Sequence, residues 1–164
     1  MREILISIHP RWCELIALGR KFLEIRKTKP NIDGPFKCYI YQTKKRWFYP
    51  IMERLNIWKW TIVEGQGYVV GEFICDKVEA LSERDLYAGM DEISPSRVEE
   101  LSCVDLDELI RYKGFNDVLY AWHITDLKLY DTPKRFSECM FGPIKDPSNH
   151  LLKAPQSWCY VTTI

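Results

Sequence analysis

Strand-like runs gather toward the two ends of this chain, and that distribution limits the folds open to it. "EILISIHP", "KFLEIRK", "FKCYIYQT", "GYVVGEFICDKVEAL", "VLYAWHITDLKLYD" and "SWCYVTTI" are rich in β-branched and aromatic residues and are separated by stretches carrying turn residues. In the first run Ile4, Ile6 and, more weakly, Ile8 form the alternating face. Helix signals are fewer. Pro10 opens "PRWCELIALGR" where a helix tolerates proline, Trp12, Leu15, Ile16 and Leu18 give it an apolar side, and Gly19 stops it. The acidic middle, "SERDLYAGMDEISPSRVEELSCVDLDELIRYKG", reads as short helices with serine and aspartate start signals before Ser94, Pro95 and Asp105. Gly71 marks a bulge or bend in its run. The pattern predicts an α+β chain, a small mixed or partly closed β-barrel of about six strands with short flanking helices, rather than a doubly wound parallel sheet.

With 164 residues the chain is expected to be one domain (1–164), large enough to form a core without disulfide or metal staples. Within it, 44–67 has no clean period and reads as an inserted loop with one helical turn around Ile51 to Leu55, and 82–114 is an acidic helical excursion. No apolar run approaches the roughly 18–20 residues of a membrane span, and the N-terminus lacks the features of a secretory leader, so the expectation is a cytoplasmic protein with no membrane partner. The six cysteines are scattered singly, without a C-x-x-C pair, and the three histidines show no ligand spacing, so reduced thiols and no metal or other cofactor are expected.

Charge is unevenly distributed although the total is zero. Residues 1–50 hold 11 Lys or Arg against 4 Asp or Glu, whereas residues 72–110 hold 3 against 12. This asymmetry suggests an anionic partner for the N-terminal half, or two regions that pack side by side and neutralise each other.

The segment "GRKFLEIRK" concentrates the chemistry. On a strand Leu23 and Ile25 point to one side while Phe22, Glu24 and Arg26 point to the other, and alternate positions lie about 7 Å apart, within reach of a Glu–Arg pair. Such a pair is either a solvated strand-face contact worth at most about 1 kcal/mol or the wall of a polar site. In the second case Glu24 is oriented toward the exocyclic amine of a base, while Lys21 and Arg26 supply donors for phosphate. In "KKRWFYP" and "NIWKW", Lys44, Lys45, Arg46 and Lys59 interleave with Trp47, Phe48, Tyr49, Trp58 and Trp60, the composition of a base-stacking groove or of a satellite core beneath a loop. Lys27 joins the basic set. His9 and His123 either reach a cleft or are satisfied core histidines, with the core reading preferred for His123. Ser157 has no elbow motif, which argues against a serine hydrolase, and Cys13 sits in an apolar helix context.

Gly19, Lys21, Glu24 and Arg26 form the pattern G-x-K-x-x-E-x-R, which resembles the signature of the ASCH domain (activating signal cointegrator homology) of the PUA-like superfamily. "ILISIHPRWCELIALGRKFLEIRKTKP", "YIYQT", "VVGEF", "YAWHITDLKLYD" and "PQSWCYV" extend the resemblance over most of the chain, toward the prophage and Gram-positive branch. It implies a PUA-like β-barrel with a cleft lined by the motif, bordered by Gln156 and Trp158, and a nucleic-acid ligand, RNA or a modified nucleotide. One bacterial branch hydrolyses N4-acetylcytidine with a Lys and a Thr from this segment and a distant Glu, and another member is a ribonuclease. Lys21 matches that Lys, but Glu24 stands at the Thr position and Thr28 lies at the wrong offset, so the proposed nucleophile is missing. If the protein is an enzyme, a hydrolase of modified nucleosides or a nuclease, Lys21 and Glu24 are the proton-handling groups. The acidic helices offer a surface for a basic protein partner.

Overall fold

The computed structural model describes residues 3–52, 58–65, 67–90, 95–141, 151 and 153–163, with the backbone alone for 46–52, 58–64, 138–141 and 163. In chain order the elements are β1 (Glu3–Ile8), α1 (Pro10–Ala17), β2 (Leu23–Arg26), β3 (Phe36–Gln42), β4 (Arg46–Met52), β5 (Trp58–Glu64), β6 (Val69–Cys75) and β7 (Val78–Leu81). There follow α2 (Glu83–Leu86), α3 (Arg97–Ser102), α4 (Leu106–Lys113), β8 (Leu119–His123), β9 (Thr125–Lys134), α5 (Phe136–Cys139), β10 (Met140–Phe141) and β11 (Trp158–Thr163).

A six-stranded sheet has the order β10-β11-β1-β3-β6-β9, a three-stranded sheet the order β2-β8-β7, and β4 and β5 form a separate ribbon. The expected α+β class holds. The expected barrel of about six strands is corrected, because the strands divide between two sheets and, among the described residues, no ladder closes the larger one on itself. Two runs that read as single long strands are each broken across the sheets. "GYVVGEFICDKVEAL" becomes β6 and β7, interrupted at Asp76 and Lys77, and "VLYAWHITDLKLYD" becomes β8 and β9, interrupted at Ile124. Backbone bonds from His123 N–H to Lys77 O (3.0 Å) and from Ile124 N–H to Phe22 O (2.9 Å) hold this corner. A chain that turns a corner this way can line two sheets with one uninterrupted apolar run.

β1 explains why its alternation is imperfect. Ile4, Ile6 and Ile8 join Phe36, Cys38, Ile40, Phe73 and Trp122 in a central cluster, while Leu5 packs on the opposite face with Tyr39, Tyr41, Val69 and Val161. Both faces of the strand are therefore covered. β1 and β3 run parallel, Ile8 opposite Gln42, and β11 flanks β1 antiparallel. Gly71 lies at a register shift between β6 and β9, and a Cβ there would stand 2.6 Å from Lys128 O, so the bulge excludes any larger residue without movement.

The helices follow their start signals with one relocation. His9 caps α1 through Nδ1, accepting from Arg11 N–H, Pro10 follows at the first helical position, and Gly19 just past the end has φ +64°. Leu18, expected on the apolar side, is 62% exposed. α3 is capped by Ser96 in a reciprocal box with Glu99, and Ser94 lies outside the described residues. Asp105 makes no side-chain cap for α4, whose Leu106 N–H bonds Glu99 Oε1 at 2.8 Å, so one carboxylate ties both helices together. α2, α3 and α4 bury Leu86, Val98, Leu106 and Leu109 against Leu23, Ile25, Leu119 and Ala121 of the smaller sheet. No described helix is long and apolar enough to cross a membrane.

Candidate ligand cavity

β2 has two different faces. Leu23 and Ile25 are buried among the short helices, while Glu24 and Arg26 point the other way into a cavity of about 370 Å³. Glu24 Oε1 lies 2.9 Å from Arg26 Nη2, which also donates to Ser7 O at 2.6 Å, and Arg26 Nη1 donates to Ser157 Oγ at 3.3 Å. Lys21, just before the strand, donates to Ser102 O at 2.6 Å and stands 3.5 Å from Glu24 Oε2. Its ammonium is also 4.9 Å from the Trp12 ring centroid, whose other cationic neighbour, Arg11, is at 4.3 Å. Lys21, Glu24 and Arg26 side chains are all less than a tenth exposed.

A buried ion triad is poor evidence for stability by itself, because desolvating the charges offsets most of their attraction. Here it is also incompletely satisfied. Glu24 Oε2, Arg26 Nε and Thr43 Oγ1 are buried without a hydrogen-bond partner. Unsatisfied buried groups are uncommon and costly, and three of them fall on residues lining one cavity, which makes it the candidate site.

The cavity has two further walls. One lies where the parallel strands β1 and β3 end, and carries His9, Thr43 and Lys45. Thr43 N–H bonds Ile8 O at 3.0 Å, Lys45 N–H bonds Thr43 O at 2.9 Å, and Gly65 N–H bonds Lys45 O at 2.9 Å. A Cβ on Gly65 would fall 1.7 Å from Thr43 O, so the root of the β4–β5 ribbon sits directly on this wall. The other wall comes from the acidic segment, with Val104 before α4 and Glu108, Leu109 and Tyr112 on it. The basic and acidic regions thus pack side by side, joined at Lys21 by a carbonyl rather than a carboxylate. Burial holds the Lys21 pKa below the ordinary lysine value against the opposing pull of Glu24. Burial, then Lys45 and Arg11, lower that of His9.

No protein-family model matches the chain, and no curated protein matches it by sequence. Solved structures do. The crystal structure of ASCH from Zymomonas mobilis superposes with a TM-score of 0.63 at 17% identity, covering 96% of this chain and 86% of that one. A Tyr-to-Phe variant of the same protein gives 0.64 at 16% identity, covering 98% and 90%. The chain has the ASCH fold.

Within this ASCH fold Glu24 and Arg26 meet on one strand face, and Lys21 and Lys45 line the same cavity. Lys27 is exposed beside it, 5.0 Å from the Tyr112 ring centroid. Lys44 is exposed, with its stem over Gly67. The inserted segment is a hairpin, with Trp47 opposite Val63, Pro50 opposite Trp60 and Met52 opposite Trp58. Ile51 and Met52 belong to β4 rather than to a helical turn, and 53–55 lie outside the described residues. The side chains of Arg46, Trp47, Phe48, Tyr49, Trp58, Lys59 and Trp60 also lie outside them.

His123 is not a core histidine. Its Nε2 is 2.9 Å from Glu79 Oε1 on partly exposed strands, away from the cavity lining, because its strand neighbour Trp122 takes the buried position. Gln156 and Ser157 border the cavity, but Trp158 packs on Trp122 and Tyr160 and donates to Thr28 Oγ1 at 3.0 Å. Cys13 is buried, which pushes its thiol pKa up. Sequence reasoning missed Ser7, Thr43, Glu108 and Tyr112. The i, i+4 spacing of the last two, flanking Leu109, was the one local sign that they share a helix face.

Proposed function

We propose that the protein is an ASCH-family nucleic-acid-binding module that admits a single unpaired or modified nucleotide, from RNA in the first instance, into the cavity behind β2. The observation that carries this reading is a partly open cavity lined by Glu24, whose Oε2 accepts no hydrogen bond and has only the Lys21 ammonium at 3.5 Å, and by Arg26, whose Nε donates none. A donor next to an acceptor is what the edge of an amino-bearing base presents, an exocyclic amine beside a ring nitrogen. About 370 Å³ lies at the small end of the roughly 300–1,000 Å³ typical of ligand pockets, which suits one splayed-out base better than a duplex. The β4–β5 ribbon, rooted at the rim with its aromatic and basic sequence, would stack flanking nucleotides.

The test is a titration with short single-stranded RNA and matched DNA at several salt concentrations, comparing wild type with Glu24→Gln and with Arg46→Ala/Lys59→Ala. Affinity should fall with salt, weaken in both variants, and lose part of its salt slope in the second. Absence of saturable binding to either polymer by folded wild type would overturn the proposal.

A second reading, hydrolysis of a modified nucleoside or nuclease action, draws on the lowered pKa of Lys21 beside Glu24, the arrangement of a proton-handling pair. It requires product formation from N4-acetylcytidine or from RNA that disappears in Lys21→Met.

A further inference from the structure

We infer that the His9, Thr43 and Lys45 wall is a phosphate-contact site, so that the ligand is a nucleotide that keeps its phosphate at the rim while its base enters toward Glu24. This rests on the proposed function and changes which residues carry it. The sequence assigns phosphate to Lys21 and Arg26, yet both are buried and bonded inward. Lys21 Nζ is held by Ser102 O and Glu24, and the Arg26 guanidinium spans Ser7 O, Glu24 and Ser157 Oγ. A phosphate could reach them only by breaking those bonds and stripping Glu24 of its counter-ions, a poor exchange for a buried carboxylate. The triad is therefore a brace that fixes β2 to β1, to the end of α3 and to the segment before β11.

Lys45 has the opposite character. It is exposed, lines the same cavity and has no carboxylate partner among the described residues. Its backbone is nonetheless fixed on both sides, by Thr43 O and by Gly65 N–H, and the close approach of Gly65 to Thr43 O locks that loop. The side chain is exposed, on a backbone hydrogen-bonded on both sides. Beside it Thr43 Oγ1 is a buried hydroxyl without a partner, available to donate. Arg11, whose charge acts with that of Lys45 on His9, and the first turn of α1 add positive potential of the same sign. Across the cavity Glu108 repels an anion. One side accepts a phosphate and the other refuses it, so the ligand has a single orientation.

The experiment is calorimetric titration of wild type, Lys45→Ala and Lys45→Arg with cytidine, adenosine and their 3′- and 5′-monophosphates. A charge-assisted contact of this kind is worth about tenfold or more in affinity, so at least one monophosphate should bind wild type about tenfold tighter than its nucleoside. That ratio should collapse to within about twofold of unity in Lys45→Ala and be retained in Lys45→Arg. Equal affinity for nucleoside and monophosphate in wild type, or a ratio that survives Lys45→Ala, overturns the inference while leaving nucleotide binding in place. Binding of none of the small ligands overturns it too, and the RNA titration above then decides separately whether the cavity takes nucleic acid.

Discussion

Replacing Glu24 by Gln tests whether the triad is as buried as its geometry makes it. Oε1 faces Arg26 at 2.9 Å and Oε2 faces Lys21 at 3.5 Å, so either orientation of a Gln amide turns its NH₂ toward a cation. Two buried cations also lose their counter-ion. Removing one partner from a buried pair costs about 3–5 kcal/mol, and for a chain of this size each kcal/mol lowers the melting temperature by about 2–4 °C. The variant should melt roughly 6–20 °C below wild type by calorimetry at neutral pH. Because the pair is buried, most of that loss should persist at high salt. Lys21→Met should then cost less in the Glu24→Gln background than in wild type, since the ammonium it removes no longer has a counter-ion. A fall of under about 2 °C, or a loss that vanishes in salt, would mean that water reaches these charges, and the brace argument would fail.

Gly65→Ala would drive a Cβ into Thr43 O; the expected cost is the roughly 1–3 kcal/mol of overpacking, read as a lower melting temperature together with faster amide exchange at Lys45. The lowered pKa of His9 gives a pH dependence of definite sign. Below the ordinary value of 6.5 the unfolded chain takes up the proton more readily than the folded one, so stability falls as pH drops from there. Melting temperatures between pH 7.5 and 5.5 should show that slope, and His9→Asn, which can still cap α1, should reduce it.

The local parts of this structure were legible because they depend on a few neighbouring residues. Pro10 and Gly19 bracket a helix through backbone restrictions of their own, and Glu24 and Arg26 share a face because strands alternate. What lay beyond reading was set by distant parts of the chain. The corners at Asp76 and Ile124 leave the apolar pattern unbroken while changing the sheet, so each pair of strands looks like one. The ribbon shows no alternation because apolar residues occupy both parities of its register, Trp47 opposite Val63 and Phe48 opposite Ile62. Nothing near Arg26 announces Ser7 O or Ser157 as partners. The caps of α4 mislead for a related reason, since Glu99 of the preceding helix performs the task that Asp105 advertises.

The pairing of β1 with β11 bears on how the protein is made. Ser7 Oγ donates to Pro155 O across 148 positions, and Ser7 N–H bonds Ser157 O, so β1 waits for a segment synthesised 148 residues later. At about 5–20 residues per second that interval is roughly 7–30 s on the ribosome. Until then β1 has a bare edge, and Arg26 lacks the Ser157 hydroxyl that completes its cage. A nascent chain therefore holds its central cations without a finished enclosure, and the cavity wall is complete only when Ser157 and β11 dock. Contacts this far apart in sequence also make folding slow, which leaves β1 among the surfaces most exposed to mispairing while it waits.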